Sequence, residues 1–162
     1  MPGQSEGSLL DFGQAYRKAA DYCAFQDRCI SEIKLKLRVW NIDKSYFGKI
    51  ISKLIEEGFL DEKRFAINYA GGKFRIKGWG KLKIAAGLRA RAIPAPLIQQ
   101  ALAAIDKDEY FQCLETLLKK KLRQLGSNSQ ENRQKAAYFA ASRGFETGLI
   151  AVHLHDTELF DF

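Results

Sequence analysis

Apolar residues recur along this chain at three- and four-residue spacing, the period of a helix with one buried face, and runs of strand-like alternation are scarce. The stripes predict nine helices. Ala15, Tyr16, Ala19, Ala20 and Cys23 share a face of the first, over 14–26, and Ser31-Glu32 opens a second carrying Ile33, Leu35, Leu37 and Trp40. Asp43 is placed to cap a third, with Phe47, Ile50, Ile51, Leu54 and Ile55, which Gly58 stops. Asp61 caps a fourth over 61–76, with Phe65, Tyr69 and Phe74 on one face; Gly78 and Gly80 break it. A fifth follows over 81–91, and Pro94, suited to a first helical turn, begins a sixth over 94–105. The seventh spans 108–125 with Tyr110, Phe111, Leu114, Leu117, Leu118 and Leu122, the eighth 130–142 and the ninth 146–154, with a loop over 126–129.

Nine helices in threes suggest a repeat. Ile33, Leu37, Ile42, Phe47, Ile51 and Leu54 superpose on Ile84, Leu88, Ile93, Ile98, Leu102 and Ile105 at one offset of 51 positions. A looser third copy places Phe139, Phe145, Ile150 and Leu154 at 51 or 52 positions after Leu88, Ile93, Ile98 and Leu102. The expectation is an all-α chain of three tandem three-helix repeats, over 13–58, 59–106 and 107–155, forming an elongated, curved array. Each repeat is too small to be stable without its neighbours. Residues 1–12 read as a flexible N-terminal segment and 156–162 as a C-terminal tail. Leu9, Leu10, Phe12, Phe160 and Phe162 stand there either as docked end caps or as loose ends.

An apolar fraction of 46 % supports a packed core, and the formal charge of +7 with a pI near 9.3 favours polyanionic or acidic partners. Cys23, Cys29 and Cys113 have neither the paired spacing nor the nearby His that a zinc site needs, so they read as reduced thiols of a cytoplasmic protein. The start lacks the basic end and apolar run of a signal peptide, and no stretch reaches the ~18 apolar residues of a membrane span. The predicted location is the cytoplasm, with no membrane contact, and the predicted state a monomer.

Catalytic chemistry finds no constellation. His153 and His155, two apart, cannot share a helix face. Gly78-x-Gly80 lacks the lysine and hydroxyl ending of a phosphate loop and follows a helix, and Asp61-Glu62 suits a helix start better than an acid pair. No cofactor, metal or catalytic residue is predicted. The informative feature is a run of cations, Lys73, Arg75, Lys77, Lys81, Lys83, Arg89 and Arg91, with no Asp or Glu among them and with Phe74 and Trp79 alongside. Surfaces built for solubility mix signs, whereas phosphate contacts need Lys and Arg without local acids. Trp79 itself reads as a core or hinge residue. Lys119, Lys120, Lys121 and Arg123 form a second cluster late in the seventh helix, where cations also suit the helix dipole.

The run Gly58-Phe59-Leu60-Asp61-Glu62-Lys63-Arg64-Phe65-Ala66, followed by Tyr69, Lys77-Gly78, Lys81, Ile84, Leu88, Ala92-Ile93, Ile98 and Ala101-Leu102, resembles the RecX family of regulatory proteins, modulators of the RecA recombinase. The earlier Arg28-Cys29-Ile30-Ser31-Glu32-Ile33-x-x-Lys36-Leu37 is similar to that family's first-repeat signature. Two positions depart from the pattern: Glu62 stands for a second acid, conservatively, and Ala92 for a glycine. The resemblance implies tandem three-helix repeats that bind in the groove of the RecA–DNA filament and modulate, most often inhibit, its ATPase and strand exchange. It implies a role in regulating DNA repair, homologous recombination and the SOS response, and no catalysis. The basic residues above become candidate contacts to RecA or to single- and double-stranded DNA. The alternative is a helical DNA-binding protein acting without a recombinase; a lack of Asn or Gln beside Lys83, Arg89 and Arg91 for reading base edges argues against it.

Overall fold

The first, fourth, seventh and eighth helices of this chain start where a short polar side chain occupies a free N–H group of the first turn. The computed structural model describes residues 9–156. Asp11 accepts from the Gln14 N–H at 2.8 Å while the Gln14 side chain accepts from the Asp11 N–H at 3.1 Å, a reciprocal cap that starts α1 (Phe12–Phe25). Asp61 accepts from the Arg64 N–H at 3.0 Å at the head of α4 (Glu62–Lys77), and Asp106 from the Glu109 N–H at 2.9 Å at the head of α7 (Lys107–Leu125). Ser129 does the same for α8 (Gln130–Ser142), and Gly126 in the left-handed conformation ends α7. The other helices are α2 (Ile30–Val39), α3 (Phe47–Glu56), α5 (Lys81–Ala90), α6 (Ala95–Ala103) and α9 (Thr147–His155). The described residues hold nine α-helices and no strand, as the periodicity predicts, and none of these helices is long and apolar enough to cross a membrane.

Two starts differ from the sequence reading by more than one residue. The first helix begins at Phe12 rather than Gln14 because Asp11 caps it; Leu10 and Phe12 then pack on the core, with the Phe12 ring edge-on to Tyr46 at 5.6 Å. Leu9 stays exposed, and Phe160 and Phe162 lie outside the described residues. Asp43 does cap, accepting from the Ser45 N–H at 2.9 Å, but what it caps is a single 3-10 turn, Lys44–Tyr46, that feeds into α3.

The described residues divide into two compact units: 9–65 with Arg91–Ile93, and Ala66–Ala90 with 94–156. In the first, α1 packs on α2 and α3 around Tyr16, Cys23, Ile33, Leu37, Ile50 and Leu54. Burial there pushes the Cys23 thiol up to about 11. In the second, α5 packs on α6, α7 on α8 and α8 on α9. Its centre is aromatic: the buried Tyr110 ring lies 5.7 Å from Phe74 and 5.2 Å from Phe145.

The offset of 51 is visible in the backbone as well as in the side chains. Of the twelve paired positions, ten are buried, and Phe47 and Leu102 are half-buried. Asn41 (φ 55°) and Ala92 (φ 57°), also 51 apart, are the positive-φ residues other than glycine among the described residues, and each directly precedes a paired isoleucine. Gly144 (φ 97°) holds the corresponding place before Phe145. The turn closes in the same way at both ends of the chain: the Ile42 N–H donates to the Leu37 carbonyl and the Phe145 N–H to the Ala140 carbonyl. A left-handed residue is what lets the chain leave one helix and re-enter the core within a few residues.

Candidate functional site

The site begins at the end of α4. Phe74 is buried, so one to three residues later Arg75 and Lys77 emerge on the exposed side, and Gly78 at φ 68° turns the chain. Gly80 then meets the α8–α9 turn. Its N–H donates to the Arg143 carbonyl at 2.8 Å, and the Leu82 N–H donates to the Gly144 carbonyl at 2.9 Å. A Cβ on Gly80 would lie 2.3 Å from the Gly144 carbonyl carbon, and one on Gly144 2.4 Å from the Lys83 Cβ. The sequence reading took Gly80 for a helix breaker; its larger role is this close approach of two backbones. Beneath it, the Lys81 N–H donates to the Tyr110 hydroxyl at 3.0 Å, and that hydroxyl donates to Glu146. Burial, helped by the Glu146 carboxylate, raises the Tyr110 hydroxyl well above its ordinary range.

The contact between the two turns sets Arg143 beside the end of α4. There Arg75 and Lys77 of α4, Lys120 and Lys121 of α7, and Arg143 line one groove of about 700 Å³. Its apolar lining includes Phe74, Cys113, Leu117 and Phe139, and among the described residues the acid that lines it is Glu109. The Lys121 ammonium stands 4.6 Å from the centre of the Phe139 ring and the Arg143 guanidinium 5.1 Å. Cys113 is half-buried, which pushes its thiol above the ordinary value.

The structure thus joins part of each predicted cluster and separates the rest. Lys73 and Lys83 flank half-buried Trp79, their ammonium groups 4.8 and 4.6 Å from its ring centre, and Lys81 lies 5.0 Å from the Tyr110 ring. Arg89 is exposed on α5. Arg91 belongs to the first unit, where its guanidinium is 3.6 Å from Glu32 and its carbonyl accepts from the Ser31 hydroxyl at 2.8 Å. Lys119 pairs with Glu115 one turn back on α7, and Arg123 is exposed in the last turn of that helix. Sequence reasoning missed Arg143 and Phe139. The repeat carried the signal for the first, because Arg143-Gly144-Phe145 stands 52 positions after Arg91-Ala92-Ile93.

The groove can hold a strip of negative charge, and no group of three or more metal-binding side chains occurs among the described residues. Comparison with known proteins gives this surface its context. Residues 61–102 match the model of the RecX second three-helix domain, and 108–151 that of the third. The protein named Regulatory protein RecX of Prosthecochloris aestuarii is 27 % identical over 140 residues, covering 86 % of this chain and 91 % of that protein. Its namesake in Chlorobaculum tepidum is 28 % identical over 116 residues, 72 % of this chain and 71 % of the other. The crystal structure of RecX from Lactobacillus salivarius has the same fold, with a TM-score of 0.84 at 23 % identity over 92 % of this chain and 97 % of that one. With the two domain models together spanning more than half of its length, the chain belongs to the RecX family.

Proposed function

We propose that this protein is a non-enzymatic cytoplasmic regulator that binds the RecA–DNA filament as a monomer and lowers its ATPase and strand exchange, and so tempers recombinational repair. The observation that supports this reading best is the convergence of Arg75, Lys77, Lys120, Lys121 and Arg143 on one groove that, among the described residues, has a single acid, Glu109. A nucleoprotein filament presents phosphates and acidic side chains at regular intervals, and cations in a shared groove meet such a lattice without competing internal pairs. Three short repeats, over 13–58, 59–106 and 107–155, extend the contact, so that individually weak sites add as avidity. Lys73 and Lys83 around Trp79, with Lys81 at Tyr110, form a second contact group on this reading.

The test is the DNA-stimulated ATPase of the host recombinase, titrated with this protein at two salt concentrations. Inhibition at sub-stoichiometric ratios, relieved by salt, is the expected result. Arg75→Glu with Lys120→Glu, both at exposed positions, should remove inhibition while leaving the helical signal and melting temperature in place. An unchanged ATPase rate at saturating protein overturns the proposal.

A further inference from the structure

The second helix of each copy begins in a different setting. In the first copy the Ser31 hydroxyl, in the opening turn of α2, donates to the Arg91 carbonyl at 2.8 Å. In the second, the N–H groups of Gly80 and Leu82 at the head of α5 donate to the Arg143 and Gly144 carbonyls. Each of these starts is covered by the turn of the copy that follows. The third start, at α8, lies open: Ser129, Gln130 and Glu131 are exposed, and Ser129 caps the helix with its own hydroxyl, 3.2 Å from the Asn132 nitrogen. Beside it is a hollow of about 480 Å³ between α8 and α9. Gln130, Arg133 and Ala137 line one side and Thr147, Ala151 and Leu154 the other, each set spaced as one face of a helix. Arg133 reaches across and donates to the Leu154 carbonyl at 3.1 Å, and among the described residues no acid lines the hollow. A stack of small helical repeats needs something to close the face on which a next repeat would sit.

Matching chemistry stands next to it in the sequence. His155, the last residue of α9, lines the hollow, and shortly after it, outside the described residues, come Thr157-Glu158-Leu159-Phe160-Asp161-Phe162. Leu159, Phe160 and Phe162 suit an apolar wall, and Glu158 and Asp161 suit a hollow whose lining carries Arg133 and no acid. Six extended residues span up to about 20 Å, enough to double back along α9, a helix about 13 Å long. The other end of the chain gives the precedent. Leu10 and Phe12, at the head of α1, pack on the core of the first unit, with Phe12 against Tyr46. We propose that the α8–α9 hollow is the docking site of the chain's own residues 157–162, with Leu159, Phe160 and Phe162 on the apolar walls and the carboxylates toward Arg133. The segment then closes the third copy as Leu10 and Phe12 close the first. This contact is separate from the basic groove and does not rest on the regulatory reading.

The test compares the full chain with a chain ending at Asp156, using the labelled free peptide of residues 157–162 as probe. Removing the segment should lower the melting temperature by about 2–8 °C, the shift of one or two lost apolar contacts in a chain of this size. By fluorescence anisotropy the peptide should bind the shortened chain saturably. It should bind the full chain at least about 3-fold more weakly, because the tethered copy competes at an effective concentration of roughly a millimolar. A peptide carrying Phe160→Ser and Phe162→Ser should bind neither chain. Ala151→Glu, at an exposed position of α9, should abolish peptide binding to the shortened chain, with circular dichroism confirming that the variant is folded. An unchanged melting temperature overturns the proposal, as does a shortened chain that fails to bind the peptide at millimolar concentration. Equal binding of the peptide by both chains would show a site open to another protein's segment, and overturns it as well. So does a melting difference that grows with protein concentration, which would assign the segment to a second copy.

Discussion

The two units handle their charge in opposite ways. The first carries twelve Lys and Arg against ten Asp and Glu in sequence, a net +2, and the second fourteen against nine, a net +5. In the first, Lys53 pairs with Glu57 four residues on, and two arginines are tied across the fold. The Arg64 guanidinium lies 3.0 Å from Asp27 and also donates to the Gly58 and Phe59 carbonyls, and Arg91 lies 3.6 Å from Glu32. In the second, the described ion pairs lie within single helices, Glu115 with Lys119 and Glu131 with Lys135, while five other cations line a groove. The sharpest contrast is between two copies of one turn. Arg91-Ala92-Ile93 spends its arginine on a neighbouring carboxylate, whereas Arg143-Gly144-Phe145 delivers its arginine to the groove. A repeat can thus keep its core and backbone bend while the residue just before the bend switches from structural tie to contact surface.

If the cores of the copies are equivalent, truncating equivalent leucines should cost the same. Leu37→Ala and Leu88→Ala remove fully buried side chains 51 positions apart, one in each unit, and each should lose about 2–5 kcal/mol in urea denaturation. A loss under ~1 kcal/mol for one of them would mean that its copy closes over the gap and that the repeats are alike in pattern only.

The glycine contact should separate the units next. Gly144→Ala places a Cβ 2.4 Å from the Lys83 Cβ on a residue at φ 97°, so left-handed strain and overpacking add to about 2–5 kcal/mol. Gly58→Ala in the first unit, at φ 77° with nothing near the new methyl group, should cost only the strain, about 1–2 kcal/mol. Equal losses would show that the Gly80–Gly144 approach is looser than its hydrogen bonds indicate. The same Gly144→Ala protein, if folded, should also lose groove function, because Arg143 is held by that contact.

Each unit buries a tyrosine whose hydroxyl donates to a glutamate, Tyr16 to Glu57 and Tyr110 to Glu146. Tyr110 also accepts from the Lys81 N–H, so Tyr110→Phe strands two partners and should cost about 1–3 kcal/mol, against about 0.5–1 kcal/mol for Tyr16→Phe with its exposed Glu57. The pH dependence follows from the raised Tyr110 hydroxyl. In the unfolded chain it ionises near 10; in the folded chain it holds its proton further up. Its contribution is fully present below about pH 10 and is lost as pH rises from there toward the folded value. Urea midpoints at about pH 8 and about pH 11 should fall less for Tyr110→Phe than for the parent. An identical fall for both would place the alkaline sensitivity elsewhere.

Most of the fold was legible because it rests on periodic burial. The 51-position offset located ten buried side chains, and Asp61 capped where its sequence context indicated. The candidate site was legible only in half. Lys73 to Arg91 is contiguous in sequence, yet helical geometry and the turn at Gly78 send Arg75 and Lys77 to the groove and Lys73 and Lys83 to Trp79. Arg91 goes to the first unit altogether. A run of like charges gives composition, and the direction of each side chain is set by neighbours that the run does not contain. Arg143 and Phe139 lie too far along the chain for local reading to join them to α4; the glycine pair that brings them there looks, in sequence, like two ordinary helix stops.

The smallest expected effect probes the one place where this chain departs from the turn's own logic. Ala92 sits at φ 57° in a conformation that costs an L-residue about 1–2 kcal/mol, and the turn related to it has Gly144 there. Asn41, at φ 55° in the first copy, tolerates that conformation better because its short polar side chain can bond locally. Ala92→Gly should therefore stabilise the protein by about 0.5–1 kcal/mol, the relief of strain being partly offset by the greater freedom of glycine in the unfolded chain. Asn41→Gly should be close to neutral. Equal gains at both positions would show that the strain belongs to the turn itself; a loss at Ala92 would show that its methyl group holds the turn, and that the exposed alanine is there for packing which burial alone does not reveal.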